Sequence, residues 1–153
     1  MAYDGEILDQ CGVIEVTSPE AEAVIVSGQF PNKCGHVLFY TPSGGGYYLH
    51  VPGDWVGYPK YMTPHGFSKY IKDHGKTILN RKKVTLSNPN GVTLFLEECL
   101  SKKWKWKVLP DNCVTFVESM MKAGGGDWGL KSNCPIFAKQ DIGPALNLAS
   151  IQV

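Results

Sequence analysis

An excess of charge of either sign is what this sequence most plainly lacks: 15 basic residues stand against 14 acidic ones, leaving a net charge of +1. That balance gives no reason to expect a nucleic-acid partner. Long apolar runs are missing too. The best candidate, AEAVIVSG at positions 21–28, falls well short of the ~20 residues that a bilayer-spanning helix requires, so no stable membrane insertion is expected. The first residues, MAYDGEILDQCGVIEV, contain no basic start, apolar run and small-residue cleavage site in succession. No secretory signal is read there, and a cytoplasmic location in the producing cell is the expectation.

Paired cysteine motifs are also absent. The five cysteines, Cys11, Cys34, Cys99, Cys113 and Cys134, are odd in number and share no short repeated spacing. Without an export signal, reduced thiols are the default. Cys34 and His36 make one cramped pair, and no second C-x-x-C or H-x-x-x-H partner accompanies it, so neither structural zinc nor another cofactor is expected. The glycine runs at 44–46 and 124–126 lack the Lys and Ser/Thr that a phosphate-cradling loop needs. KWKWK at 103–107 could offer a basic, aromatic surface, but an edge strand guarded by lysines explains it equally well.

What is present fits one α+β domain spanning 1–153, large enough to bury a core without staples. VIEVTSPEAEAVIVSGQ at 13–29 predicts two short strands around a turn at Ser18 and Pro19. Two β-rich segments, 36–40 and 47–51, flank TPSGGG and predict a hairpin. PHGFSKYIKDHG predicts a short helix over 64–75, with Phe67, Tyr70 and Ile71 on its apolar side. A strand is expected around Val84. The stretch from Asn88 carries a cap, an early proline and the stripe Val92, Phe95, Leu96, Cys99 and Leu100, which predicts an amphipathic helix. KWKWKVL has the alternation of a strand. After Pro110, the residues Asp111 and Asn112 can cap a helix whose stripe is Cys113, Phe116, Val117, Met120 and Met121, ended by AGGG. The tail is expected to be irregular, with a turn of helix near 144–149.

A hairpin centred within TPSGGG would place His36 and His50 nearly opposite one another on one face, with Cβ atoms about 5 Å apart. Two imidazoles so placed are costly to bury unless their ring nitrogens find partners, and each can serve the other. One can act as a base near neutral pH while the second fixes its tautomer. Cys113 sits where the last helix would begin. There the macrodipole and unpaired backbone N–H groups favour thiolate over thiol and can stabilise an oxyanion. A thiol nucleophile, an imidazole base and an orienting group form the general triad arrangement. The same stripe position also suits an inert, packed cysteine, and either histidine alone also suits a satisfied structural role. Cys11, Cys34, Cys99 and Cys134 are expected to be structural, and His65 and His74 to be solvated.

GHVLFYTPSGGGYYLHV, followed much later by NCVTFVESM, resembles the circularly permuted branch of the NlpC-type papain-like cysteine enzymes, the branch that includes the lecithin:retinol acyltransferase-like proteins. The resemblance covers roughly residues 30–123. It implies a papain-like antiparallel sheet packed against helices, with Cys113 as nucleophile, His36 as general base and His50 as orienting group. The histidine spacing is slightly longer here than in the family, which the glycine-rich turn explains. The implied activity is hydrolysis of an amide bond in bacterial peptidoglycan peptides. A chain without an export signal would reach that substrate through a specialised secretion system, as an antibacterial effector with a cognate immunity protein as partner. Two rival expectations remain: a phospholipase or acyltransferase acting on lipid acyl groups with the same residues, and a papain-like binding module without catalysis.

Overall fold

In the computed structural model the described residues are 2–8, 14–28, 35–51, 59–101 and 112–127, with the side chains at 100, 101, 112, 113 and 115 outside the description. The expected strand at KWKWKVL and the expected turn of helix at 144–149 lie outside these residues.

The described chain is α+β. Six strands form one antiparallel sheet: β1 (Glu6–Ile7), β2 (Glu20–Val26), β3 (His36–Thr41), β4 (Tyr47–His50), β5 (Lys60–Met62) and β6 (Ile78–Thr85), in the order β1-β5-β4-β3-β2-β6. Three helices accompany it: α1 (Pro64–His74), α2 (Pro89–Ser101) and α3 (Asn112–Ala123). Among the described residues no helix is long and apolar enough to cross a membrane.

The helices begin and end where local chemistry directs. Thr63 caps α1 by accepting the Gly66 N–H at 3.1 Å, Pro64 fills the first turn, and Gly75 closes it in the left-handed conformation. The hairpin between β3 and β4 is not a two-residue turn. A 3-10 turn over Ser43–Gly45 lies between the strands, and Gly44, Gly45 and Gly46 all have positive φ, at 64°, 93° and 104°. Side chains resist that conformation, so the run of three glycines is what permits this connection.

One expectation fails here. Only β2 forms in the stretch read as two strands, and Ile14–Ser18 runs without regular pairing. Its backbone donors are taken by side chains: Val16 N–H by Thr93 Oγ1 at 2.8 Å, and the Thr17 and Ser18 N–H groups by Ser43 Oγ at 3.0 and 3.1 Å. A segment whose N–H groups are already satisfied gains nothing from a neighbouring strand. β1 and β5, two and three residues long, carry too little alternation to be read from sequence.

Both faces of the sheet are covered, which explains why the second half of β2, Val24, Ile25 and Val26, is apolar without alternation. On one face Ala23, Ile25, Val37, Phe39 and Leu49 join Val92 and Leu96 of α2 and Phe116, Val117, Met120 and Met121 of α3. On the other, Val24, Val26, Leu38, Tyr48 and Met62 meet Phe67 and Tyr70 of α1. α2 and α3 approach so closely that a Cβ on Gly91 would overlap the carbonyl oxygen of Ala123. Gly91→Ala should therefore lower stability by about 1–3 kcal/mol through overpacking, although helix propensity alone would raise it by roughly 1 kcal/mol. Urea denaturation of the two proteins reads the sign directly.

Candidate functional site

His36 opens β3 and His50 closes β4, so both stand at the same end of the sheet. The observed register pairs Tyr40 with Tyr48 and Phe39 with Leu49. The hairpin is thus centred on Gly44, and the histidines are diagonal neighbours on one face rather than direct cross-strand partners. Diagonal positions remain within reach of rings. His36 Nε2 lies 2.8 Å from His50 Nδ1, with ring centroids 5.1 Å apart and planes at 69°.

The chain of contacts continues into the N-terminal segment. His50 Nε2 lies 2.8 Å from the main-chain oxygen of Asp4. A carbonyl can only accept, so His50 Nε2 carries the proton and His50 Nδ1 is bare. Nδ1 must then accept from His36 Nε2–H, which leaves Nδ1 of His36 as the unprotonated nitrogen. Every proton in the pair follows from one backbone oxygen.

Other groups frame the pair. Tyr70 of α1 meets His50 edge to face at 5.3 Å, and Tyr70 in turn packs on His74 at 4.8 Å. Lys60, opposite His50 on β5, reaches Asp4 Oδ1 at 2.8 Å. His50 is fully buried and His36 half-buried. Burial pushes the pKa of His50 down to about 4 against the opposing pull of the Asp4 carbonyl. Burial first, then the neighbouring His50, also lowers His36 well below its ordinary value. Both rings are neutral at pH 7.

Cys113 is the second residue of α3, as a first-turn position requires. The pair and the described core residues of α3 stand on opposite faces of the sheet. His36 is paired with Val26 and His50 with Lys60, on the α1 side of the sheet, whereas the buried residues of α3 lie on the other side. The structure brings His36 and His50 together; the side chain of Cys113 lies outside the described residues. Among the expected structural cysteines, Cys99 is buried on α2 with its thiol pushed up to about 11 by burial. Cys11, Cys34 and Cys134 lie outside the described residues. His65 is exposed as expected. His74 is not simply solvated, because its Nε2–H donates to the Tyr3 carbonyl at 3.0 Å.

Asp4, Lys60 and Tyr70 are site neighbours that the sequence did not reveal. A backbone carbonyl carries no residue signature, so nothing in the composition could have flagged Asp4. No three His, Cys, Asp or Glu side chains among the described residues are grouped to hold a metal ion. Comparison with family models, with curated proteins and with solved structures finds no match in any of the three.

The neutral pair makes stability depend on pH in one direction. Between pH 6.5 and about 4 the unfolded chain binds protons that His50 in the folded chain does not, so stability falls as pH falls through that window. For His50 alone the loss is roughly 3 kcal/mol. Urea midpoints across pH 4–7 should decline more steeply in the wild type than in the His36→Gln, His50→Gln double variant. Parallel declines would mean that the rings take up protons as readily in the folded chain as in the unfolded one.

Proposed function

We propose that this chain is a papain-like cysteine hydrolase that cleaves an amide bond, with Cys113 as nucleophile, His36 as base and His50 as the group that orients it. The observation that carries this reading is the ordered chain from the Asp4 carbonyl through His50 to His36. It leaves one basic nitrogen, Nδ1 of His36, on the less buried of the two rings. An imidazole held neutral and braced through its far nitrogen is what proton transfer from a thiol requires.

The position of α3 supports a meeting at the sheet's end. Gly124 and Gly126, just past its last turn, lie against Leu86 and Val84. These flank the Thr85 end of β6, which pairs with Glu20, whereas His36 pairs with Val26 at the opposite end of β2. Because α3 packs on β3 and β4, its first turn is directed away from Thr85, toward the rim where β3 begins and β4 ends. A sulfur at that rim would approach His36 from the end of the strand rather than through the sheet.

The chemistry then runs in two halves. His36 Nδ1 takes the thiol proton as Cys113 Sγ attacks the amide carbonyl, and the first-turn N–H groups of α3 stabilise the oxyanion. The proton passes from His36 to the departing amine as the C–N bond breaks, leaving a thioester. Water then attacks the thioester with His36 as base, releasing the acid and restoring the thiol. A peptide amide of peptidoglycan is the substrate class implied by the resemblance in GHVLFYTPSGGGYYLHV and NCVTFVESM.

One observation favours a second reading, a papain-like binding module without catalysis: α3 packs on the sheet face opposite the imidazoles. Purified sacculi and phospholipid vesicles, each incubated with wild type and with Cys113→Ala, separate these readings by mass spectrometry of released products. Peptide fragments from sacculi that depend on Cys113 are the expected result. Products from vesicles alone would indicate an acyl-lipid enzyme, and no Cys113-dependent product from either would favour the binding module.

On the identified substrate, His36→Ala should lower turnover by about 100-fold to 10,000-fold with the fold retained, as loss of a general base does. His50→Ala should cost less, because it orients a proton carrier without being one. Wild-type turnover in His36→Ala would remove His36 from the base role.

A further inference from the structure

The N-terminal segment is fastened at several points along a short path. Tyr3 N–H donates to Asp73 Oδ2 at 3.0 Å, and the Tyr3 carbonyl accepts from His74 Nε2–H at 3.0 Å. Asp4 pairs with Lys60, Glu6 and Ile7 pair with Tyr61 and Lys60 across β1 and β5, and Leu8 N–H reaches the Pro59 carbonyl at 3.0 Å. Glycine is needed for so close an approach. Gly5 has φ of 112°, and a Cβ there would stand 3.1 Å from both Lys60 Cβ and the Tyr61 carbonyl oxygen.

A two-residue edge strand gains little from its own ladder, since short isolated pairings are marginal in water. Its fastenings do, however, hold one oxygen where the sheet does not otherwise require one. The Asp4 carbonyl sits at 2.8 Å from His50 Nε2, and the Lys60 ammonium, bound to the same residue's carboxylate at 2.8 Å, fixes that residue from its other side. Lys60 is itself almost fully buried and stands opposite His50 in the β4–β5 register.

From this we infer that residues 2–7 form a positioning strap for the histidine pair: the Asp4 carbonyl, anchored by Lys60, holds His50 as its Nε2–H tautomer and thereby makes His36 present Nδ1. Asp4 and Lys60 are positioning residues, acting through His50. The deduction about proton placement stands on hydrogen-bond geometry alone. Its consequence for Cys113 rests on the functional reading above.

The test reads the ring protons themselves. In the wild type at pH 7, nitrogen-edited proton NMR should show slowly exchanging Nε2–H signals for both His36 and His50. In a chain lacking residues 1–5, the His50 signal should be lost to solvent exchange, and the His50 titration midpoint should rise from about 4 toward the ordinary 6.5 as water replaces the strap. Lys60→Met, which keeps an apolar stem at that position, should speed exchange of the His50 ring proton at least tenfold. It also decides the matter if the truncated chain does not fold. Unchanged His50 exchange and midpoint in the truncated chain, or unchanged exchange in Lys60→Met, would overturn the strap. If the ring protons respond as expected while Cys113 never supports turnover in any form, the strap stands and the hydrolase reading falls.

Discussion

One hydrogen-bonded chain, from the Asp4 carbonyl to His50 and on to His36, sets the character of this molecule's candidate site. Burying two imidazoles at the end of an apolar sheet costs several kcal/mol if their nitrogens find no partners. Here each inner nitrogen satisfies another, and the outermost partner is main chain. Main-chain carbonyls cannot change protonation state, so the direction of the whole chain is fixed from that end. A side-chain carboxylate in the same place would have accepted equally well, but it would have drawn His50 toward the charged form. The neutral carbonyl also pulls that way, but burial outweighs it and His50 stays neutral.

The fold supplies that oxygen through a short segment that leads into the edge strand β1. The central strands and both helical layers are held by ordinary apolar burial, with Phe39, Phe116, Val117, Met120 and Met121 fully enclosed. The strap adds polar contacts to Asp73, His74 and Lys60 to the packing of Tyr3 on the α1-side cluster. Polar fastenings lend direction, whereas apolar ones lend mass, and a hydrogen-bonded histidine pair depends on direction. The Asp73 carboxylate, pulled below its usual range by the Tyr3 N–H and Lys69, stays charged and able to accept throughout the range where the histidines are neutral.

How much of this could be read from the residues depends on the kind of signal. The three helices were legible because their caps, glycine stops and apolar stripes are local, and α1, α2 and α3 occupy nearly the expected residues. The hairpin was legible from TPSGGG, but its register was not, because the 3-10 turn shifts the centre to Gly44 and turns direct partners into diagonal ones. The stretch 14–18 looked like a strand because its alternation is real; Ser43 and Thr93 hydroxyls claim its backbone instead. The pairing of His36 with His50 survives the register shift because a displacement of two residues keeps both on one face. Which face α3 covers could not be read, since both sides of β2 and β3 are apolar. Asp4 was invisible because any residue type offers the same carbonyl.

The central claim is that His36, braced by His50, serves the sulfur at the start of α3. Competitive labelling of the folded protein with iodoacetamide at pH 6, resolved cysteine by cysteine, tests it most directly in wild type and in His36→Ala. The account predicts that Cys113 reacts at least about tenfold faster than the other cysteines in the wild type, because His36 takes the thiol proton as the sulfur attacks, and loses that advantage in His36→Ala. Equal labelling of all five cysteines, or a Cys113 advantage that survives removal of His36, would contradict it.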